Sequence, residues 1–173
     1  FQWYNVIDQV PAFGIMVLIT VLAGALSLVY DNKWLAILGL VGGFLTPILV
    51  STGKDNQVAL MTYMTILNVG ILSIGVFKRW KLLNYLGFFF TWLLFSGWYY
   101  QHYQTDKFFP TTVYLNIFFL IYACLPFAEY IARVKRNEDP EFDLLNFALT
   151  IPNTLWAFGF SFSTISEIYP QAY

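Results

Sequence analysis

Apolar runs of about twenty residues, separated by short polar gaps, fill this chain from end to end. A helix needs about 20 mainly apolar residues to cross the hydrocarbon core of a bilayer, and six stretches approach that length. They run from about Pro11 to Val29, Trp34 to Val50, Val58 to Phe77, Leu82 to Tyr100, Thr111 to Ala132 and Leu144 to Ile165. The gaps are short, so consecutive helices are expected to be antiparallel neighbours. The pattern predicts an all-α polytopic membrane protein: one domain over residues 1–173, built of six antiparallel transmembrane helices. Pro11 suits a first-turn position, where its missing N–H costs nothing. Asp55 or Asn56 is available as N-cap of the third stretch.

Composition sharpens this picture. Hydrophobic residues make up 58% of the chain and charged residues 11%, against about 25% charged in soluble domains. Lipid can cover that much apolar surface; a water-soluble fold of this length cannot bury it. Aromatic residues gather where the apolar stretches end, at Trp3, Tyr4, Tyr30, Trp34, Trp80, Trp98, Tyr99, Tyr100 and Tyr103. Rings with an apolar body and a polar edge favour headgroup level. A net charge of −1 gives no field for nucleic acid. Cys124 is the sole cysteine, so no internal disulfide is possible.

The placement of cations adds orientation. Seven of the nine Lys and Arg residues lie in the first, third and fifth gaps: Lys33; Lys78, Arg79 and Lys81; Arg133, Lys135 and Arg136. Lys54 and Lys107 lie in the second and fourth. Cytoplasmic loops carry the excess of Lys and Arg, so the odd-numbered gaps are expected inside and both ends of the chain outside. No basic region precedes the first apolar stretch after Phe1, which argues against a signal peptide. The expectation is a segment of a longer protein, with an odd number of spans upstream if that protein starts in the cytoplasm.

Candidate chemistry is sparse. The second stretch contains Gly39, Gly42, Gly43, Thr46 and Pro47. Gly39 and Gly43 form a G-x-x-x-G face that lets another backbone approach closely, extended by Ala36 and Thr46. Pro47 cannot donate to the carbonyl of Gly43 and crowds it, so this end is expected to kink or unwind. Two readings stay open: a broken helix lining a polar cavity, or a tight packing groove with a kink. Asn68, Asn116, Asn146 and Asn153 lie inside apolar stretches and are expected to face other helices, because an unpaired amide in hydrocarbon is costly. Asn153 follows Pro152 and is placed to repair the local hydrogen bonding that Pro152 disturbs. Glu129 and Arg133 have the spacing of a helix-surface ion pair at the cytoplasmic end. His102 and Asp106 are too few ligands for a closed metal site. No serine has a His–carboxylate partner at activating spacing, and no phosphate-cradling Gly loop occurs. No catalytic, metal or cofactor-binding residue is expected in this chain.

The run Leu38 to Gly53, L-G-L-V-G-G-F-L-T-P-I-L-V-S-T-G, resembles the signature of a bacterial family of large multi-pass membrane proteins, domain of unknown function 2339. The resemblance continues through Asn56, Val58–Leu60, Tyr63, Leu67–Gly70, the basic turn Lys78–Lys81, Leu86–Phe88 and Phe109–Thr112, and reaches Ile151-Pro152 and Ala157–Gly159. It implies a multi-pass helical fold in the bacterial inner membrane and a longer parent protein; it implies no reaction, substrate or site residue.

The leading functional expectation is transport or lipid handling through a cavity at Gly39–Pro47 with Asn68, Asn116 and Asn153. A structural or assembly module is the second reading, and the non-catalytic part of a membrane-embedded enzyme the third. The partners expected are the lipid bilayer and further transmembrane helices of the same parent or of another subunit.

Overall fold

The computed structural model describes residues 9–50, 56–138 and 148–168. Among the described residues six α-helices follow one another, α1 (Gln9–Val29), α2 (Lys33–Val50), α3 (Gln57–Lys78), α4 (Lys81–His102), α5 (Phe108–Lys135) and α6 (Thr150–Ile168), with a 3-10 turn at Thr105–Lys107. No strand occurs among the described residues. Each helix coincides with one apolar stretch of the sequence. α5 is longer than its apolar run because Pro110 fits its first turn and the helix continues through the basic residues to Lys135. Trp3, Tyr4, Lys54, Asp55, Asn146 and residues 139–147 lie outside the described residues.

Among the described residues, two stretches suffice by length and composition alone to cross a membrane: α3, and the continuous stretch Thr105–Lys135 that contains α5. The apolar parts of α1 and α2, Gly14–Val29 and Lys33–Ile48, are shorter.

The three basic bends share one backbone solution. Asp31, Arg79 and Asn137 occupy left-handed conformations, with φ of 48°, 60° and 55°. In each, the next residue's N–H reaches back five positions: Asn32 to the Ser27 carbonyl at 3.1 Å, Trp80 to Gly75 at 2.9 Å and Glu138 to Arg133 at 3.2 Å. This 6→1 bond marks the Schellman helix ending, where glycine is the usual left-handed residue. Here a polar or charged side chain takes that position each time, at a backbone cost of about 1–2 kcal/mol. Helix starts are capped too. The Asn32 side chain accepts from the Trp34 N–H at 3.0 Å, and the Asn56 side chain from the Ala59 N–H at 3.2 Å. Of the two residues that the sequence offers as cap of α3, Asn56 thus fills the role.

The described residues gather into two compact units, divided inside α4 between Phe90 and Thr91. In the first, α1, α2 and α3 pack pairwise. Lys78 donates to Asp31 at 2.8 Å, which puts the α1–α2 bend and the end of α3 at the same end of this unit. The pair is largely exposed, so it marks register more than it stabilises. In the second unit α5 packs on α6, and a ring cluster fills the interior. Phe95 and Phe160 meet edge-on at 5.1 Å, Trp92 stacks on Phe160 at 6.4 Å, and Tyr99 stacks on Tyr103 at 4.6 Å.

Polarity is distributed opposite to that of a water-soluble protein. Ser27, Asn68, Asn84, Thr91, Thr111 and Asn153 are fully buried, while Leu18, Ile19, Val21 and Leu22 of α1 each expose more than half of their surface. Contiguous exposed apolar surface on this scale marks an interaction with lipid or with other protein.

Candidate functional site: a groove floored by α2

Close packing of α1 on α2 begins with residue size. A side chain at Gly39 would meet the Ala23 methyl at 3.0 Å, and one at Gly43 would meet Leu67 and Thr20 at 3.2 Å. The G-x-x-x-G face expected from the sequence therefore docks inside the chain, on Thr20 and Ala23 of α1. Gly42 points elsewhere, since a methyl there meets nothing within 4 Å.

α2 remains helical through Pro47 to Val50. Pro47 has no N–H to give the Gly43 carbonyl, four residues back. The Tyr63 hydroxyl of α3 donates to that carbonyl at 2.7 Å. Tyr63 is buried, so an interhelical bond replaces the lost intrahelical one and keeps the site satisfied. Thr46 donates to the Gly42 carbonyl within the same turn. Gly43, Pro47 and Tyr63 thus form one connected unit, and of the two readings left open for this segment the helix is unbroken, its Gly43 carbonyl having a partner on α3.

Beside this junction lies a cavity of about 270 Å³. Its walls are α1 at Val17, Val21, Ala25 and Leu28, and α3 at Ile66, Gly70 and Ile74. Ala36, Gly39 and Leu40 of α2 form the floor, with Leu83 of α4 at one end. Among the described residues that line it, Thr20 and Tyr63 alone have polar side chains. Thr20 gives its hydroxyl to the Met16 carbonyl and Tyr63 gives its own to Gly43. Val21 and Ile66 are also exposed on the outer face, so the cavity is a groove that opens sideways between α1 and α3. Its apolar lining offers a water molecule no free hydrogen-bonding partners. Of the two readings left open for Gly39–Pro47, a polar cavity or a packing groove, the cavity found here has an apolar lining.

The sequence-selected asparagines take different environments. Asn68 is fully buried in α3. Asn153 is fully buried in α6 and donates to the Phe119 carbonyl of α5 at 2.9 Å. It does not serve the local repair expected of it. Pro152 lies in the first turn of α6, where its missing N–H breaks nothing. Asn116 lies on an exposed face of α5 and donates to Thr112 of its own helix at 2.7 Å. Asn84 escaped the sequence reading altogether. It is fully buried against Gly75, where any added side-chain carbon would overlap its oxygen. The signal was a small residue and an amide flanking one tight bend.

At the other end of the second unit, Lys107 donates to the His102 carbonyl at 2.8 Å and sits 6.0 Å from the Trp98 ring centroid. A cation at the last carbonyls of α4 complements the helix dipole. Burial, with Tyr99 and Glu167 adding to it, pushes the Tyr103 phenol up to about 12.

The family model described as "Predicted membrane protein (DUF2339)" matches residues 1–171, so the chain belongs to that family and is a membrane protein. No curated protein and no solved structure matches it.

Proposed function

We propose that this is a six-crossing protein of the bacterial inner membrane, with its three basic bends in the cytoplasm, and that it handles lipid by seating an acyl chain in the α1–α3 groove. One observation carries the lipid reading. The groove is apolar throughout, opens sideways onto exposed apolar helix faces, and has its two polar groups committed to carbonyls. A solute path for a polar substrate needs unengaged donors and acceptors near mid-membrane, and this lining offers hydrocarbon. The Asp31–Lys78 contact supports the topology by bringing two basic bends to one end.

Lipids carrying a diazirine on the acyl chain provide the test. Adducts should concentrate on Val17, Ala25, Gly70 and Ile74 and fall when Gly70→Leu fills the groove. Equal labelling of Leu18 and Leu22, on the outer face of α1, would remove the reading. Reporter fusions at Thr105 and Asn137 test the sidedness, and external access at Asn137 would reverse it.

An assembly role draws on the small-residue face of α2. That face is engaged by the chain's own α1, so a partner helix, from the same parent or another subunit, would have to use the groove or the outer faces instead.

A further inference from the structure

The groove ends among cations. Leu28, Ala36, Ile74 and Leu83 line it at one end, and each lies within about one helical turn of a basic bend. Lys33 precedes Ala36 by three residues, Lys78 follows Ile74 by four, and Lys81 precedes Leu83 by two. The Lys78–Asp31 pair spans from the end of α3 to the end of α1 across this end of the groove. Residues 31–33 and 78–81 carry Lys33, Lys78, Arg79 and Lys81 against the single acid Asp31, a net charge of +3. Lys33 lies 5.6 Å from the Trp34 ring centroid, an interfacial pairing of cation and aromatic.

The length is informative as well. From Val17 to Leu28 the α1 wall rises about 16 Å, roughly half of the ~30 Å hydrocarbon core. The groove therefore matches one leaflet, with its cationic end at the headgroup side and Tyr63 toward the middle.

We infer that the occupant is an anionic phospholipid, with one acyl chain along the α1–α3 groove and its phosphate at the basic ends of α1–α2 and α3–α4. The inference rests on the acyl-chain reading above and adds the headgroup. Basic clusters at the cytoplasmic ends of helices recognise anionic headgroups by charge, and here that charge sits at the end of a slot of matching polarity. A phosphate there gains Coulomb attraction that a zwitterionic headgroup largely cancels with its own cation.

The test is native mass spectrometry of the detergent-solubilised protein titrated with phosphatidylglycerol or phosphatidylcholine of identical oleoyl chains. Wild type should bind phosphatidylglycerol about tenfold or more tightly. The triple variant Lys33→Gln, Arg79→Asn, Lys81→Gln should lose that preference and keep its phosphatidylcholine affinity. Gly70→Leu, whose added carbon meets nothing within 4 Å at the Cβ position, should weaken both lipids. Circular dichroism of each variant establishes that it is folded. Equal binding of the two lipids by wild type, with both weakened by Gly70→Leu, overturns the headgroup inference and leaves the acyl-chain reading standing. Indifference of both lipids to Gly70→Leu overturns both. A dimer that Gly70→Leu dissociates would make the occupant a second copy of this chain, and the inference would fall.

Discussion

In the unit formed by residues 1–90, α1 and α2 meet where Thr20 and Ala23 face Gly39 and Gly43, and backbones come together. In the unit formed by residues 91–173, Trp92, Phe95, Tyr99 and Phe160 interlock between helices, and rings occupy the space. Both answer the same problem. Hydrocarbon solvent offers no hydrophobic drive for helix association, so attraction must come from dispersion contacts and hydrogen bonds. Small residues gain them by close approach, and rings gain them by size and edge-to-face geometry. The difference is in what is left over. Rings fill volume, whereas small residues hold two helices tightly and leave room beside the third, where the groove lies.

The sharpest way to break this contrast is Phe95→Ala. Phe95 is fully buried at the centre of the ring cluster, and its truncation should cost about 3–5 kcal/mol, read by equilibrium unfolding in mixed micelles. A loss below about 1 kcal/mol would mean that the rings are decoration. In the first unit the large effect should come from adding atoms. Gly39→Leu should cost about 1–3 kcal/mol by forcing α1 away, while Gly42→Ala should be neutral or stabilising by up to about 1 kcal/mol, since Ala is the better helix former. Equal destabilisation at both glycines would refute the close approach of α1 and α2.

Tyr63→Phe tests whether the junction at Pro47 depends on its hydroxyl. Leaving the Gly43 carbonyl without its donor should cost about 1–3 kcal/mol, and restoring the missing N–H by Pro47→Ala in the same chain should recover much of it. An additive double variant would show that the two residues do not share the carbonyl. The smallest effect is confined to alkaline pH. The Tyr103 phenol is held protonated up to about 12, against 10.0 ordinarily. Its contribution to stability is therefore complete below pH 10 and fades as pH rises from 10 towards 12. Tyr103→Phe should remove one late component from the tyrosinate absorbance titration and flatten stability across that window; loss of a component near the ordinary 10.0 instead would put Tyr103 in water.

The helices were legible in the sequence because each is written as an apolar run bounded by polar or basic residues. The G-x-x-x-G face was legible as a packing face, since residue size alone decides how near a backbone can come. Its partner was not. Nothing in the α2 sequence says whether Gly39 meets Ala23 of the same chain or a different helix. Pro47 left a kink and a break both open because the helix-internal ledger of donors is local, while the partner of the Gly43 carbonyl, Tyr63, is twenty residues away on α3. The asparagines shared one expectation and took different fates. Asn153 and Asn116 differ in whether a neighbouring helix stands opposite, which depends on rotation about the helix axis. The groove was invisible for a related reason: its walls are ordinary Val, Ile and Leu, and only their spatial juxtaposition makes a slot.

The left-handed residues at the basic bends carry a consequence for engineering. Glycine at 31, 79 or 137 would relieve about 1 kcal/mol of conformational tension apiece, the easiest gain in thermal endurance on offer. At 79 the same exchange deletes a cation that, in the topology proposed above, anchors this bend against translocation. Selecting for heat tolerance and selecting for correct threading during biogenesis would therefore pull Arg79 in opposite directions, and a stabilised variant with inverted insertion is the failure to watch for.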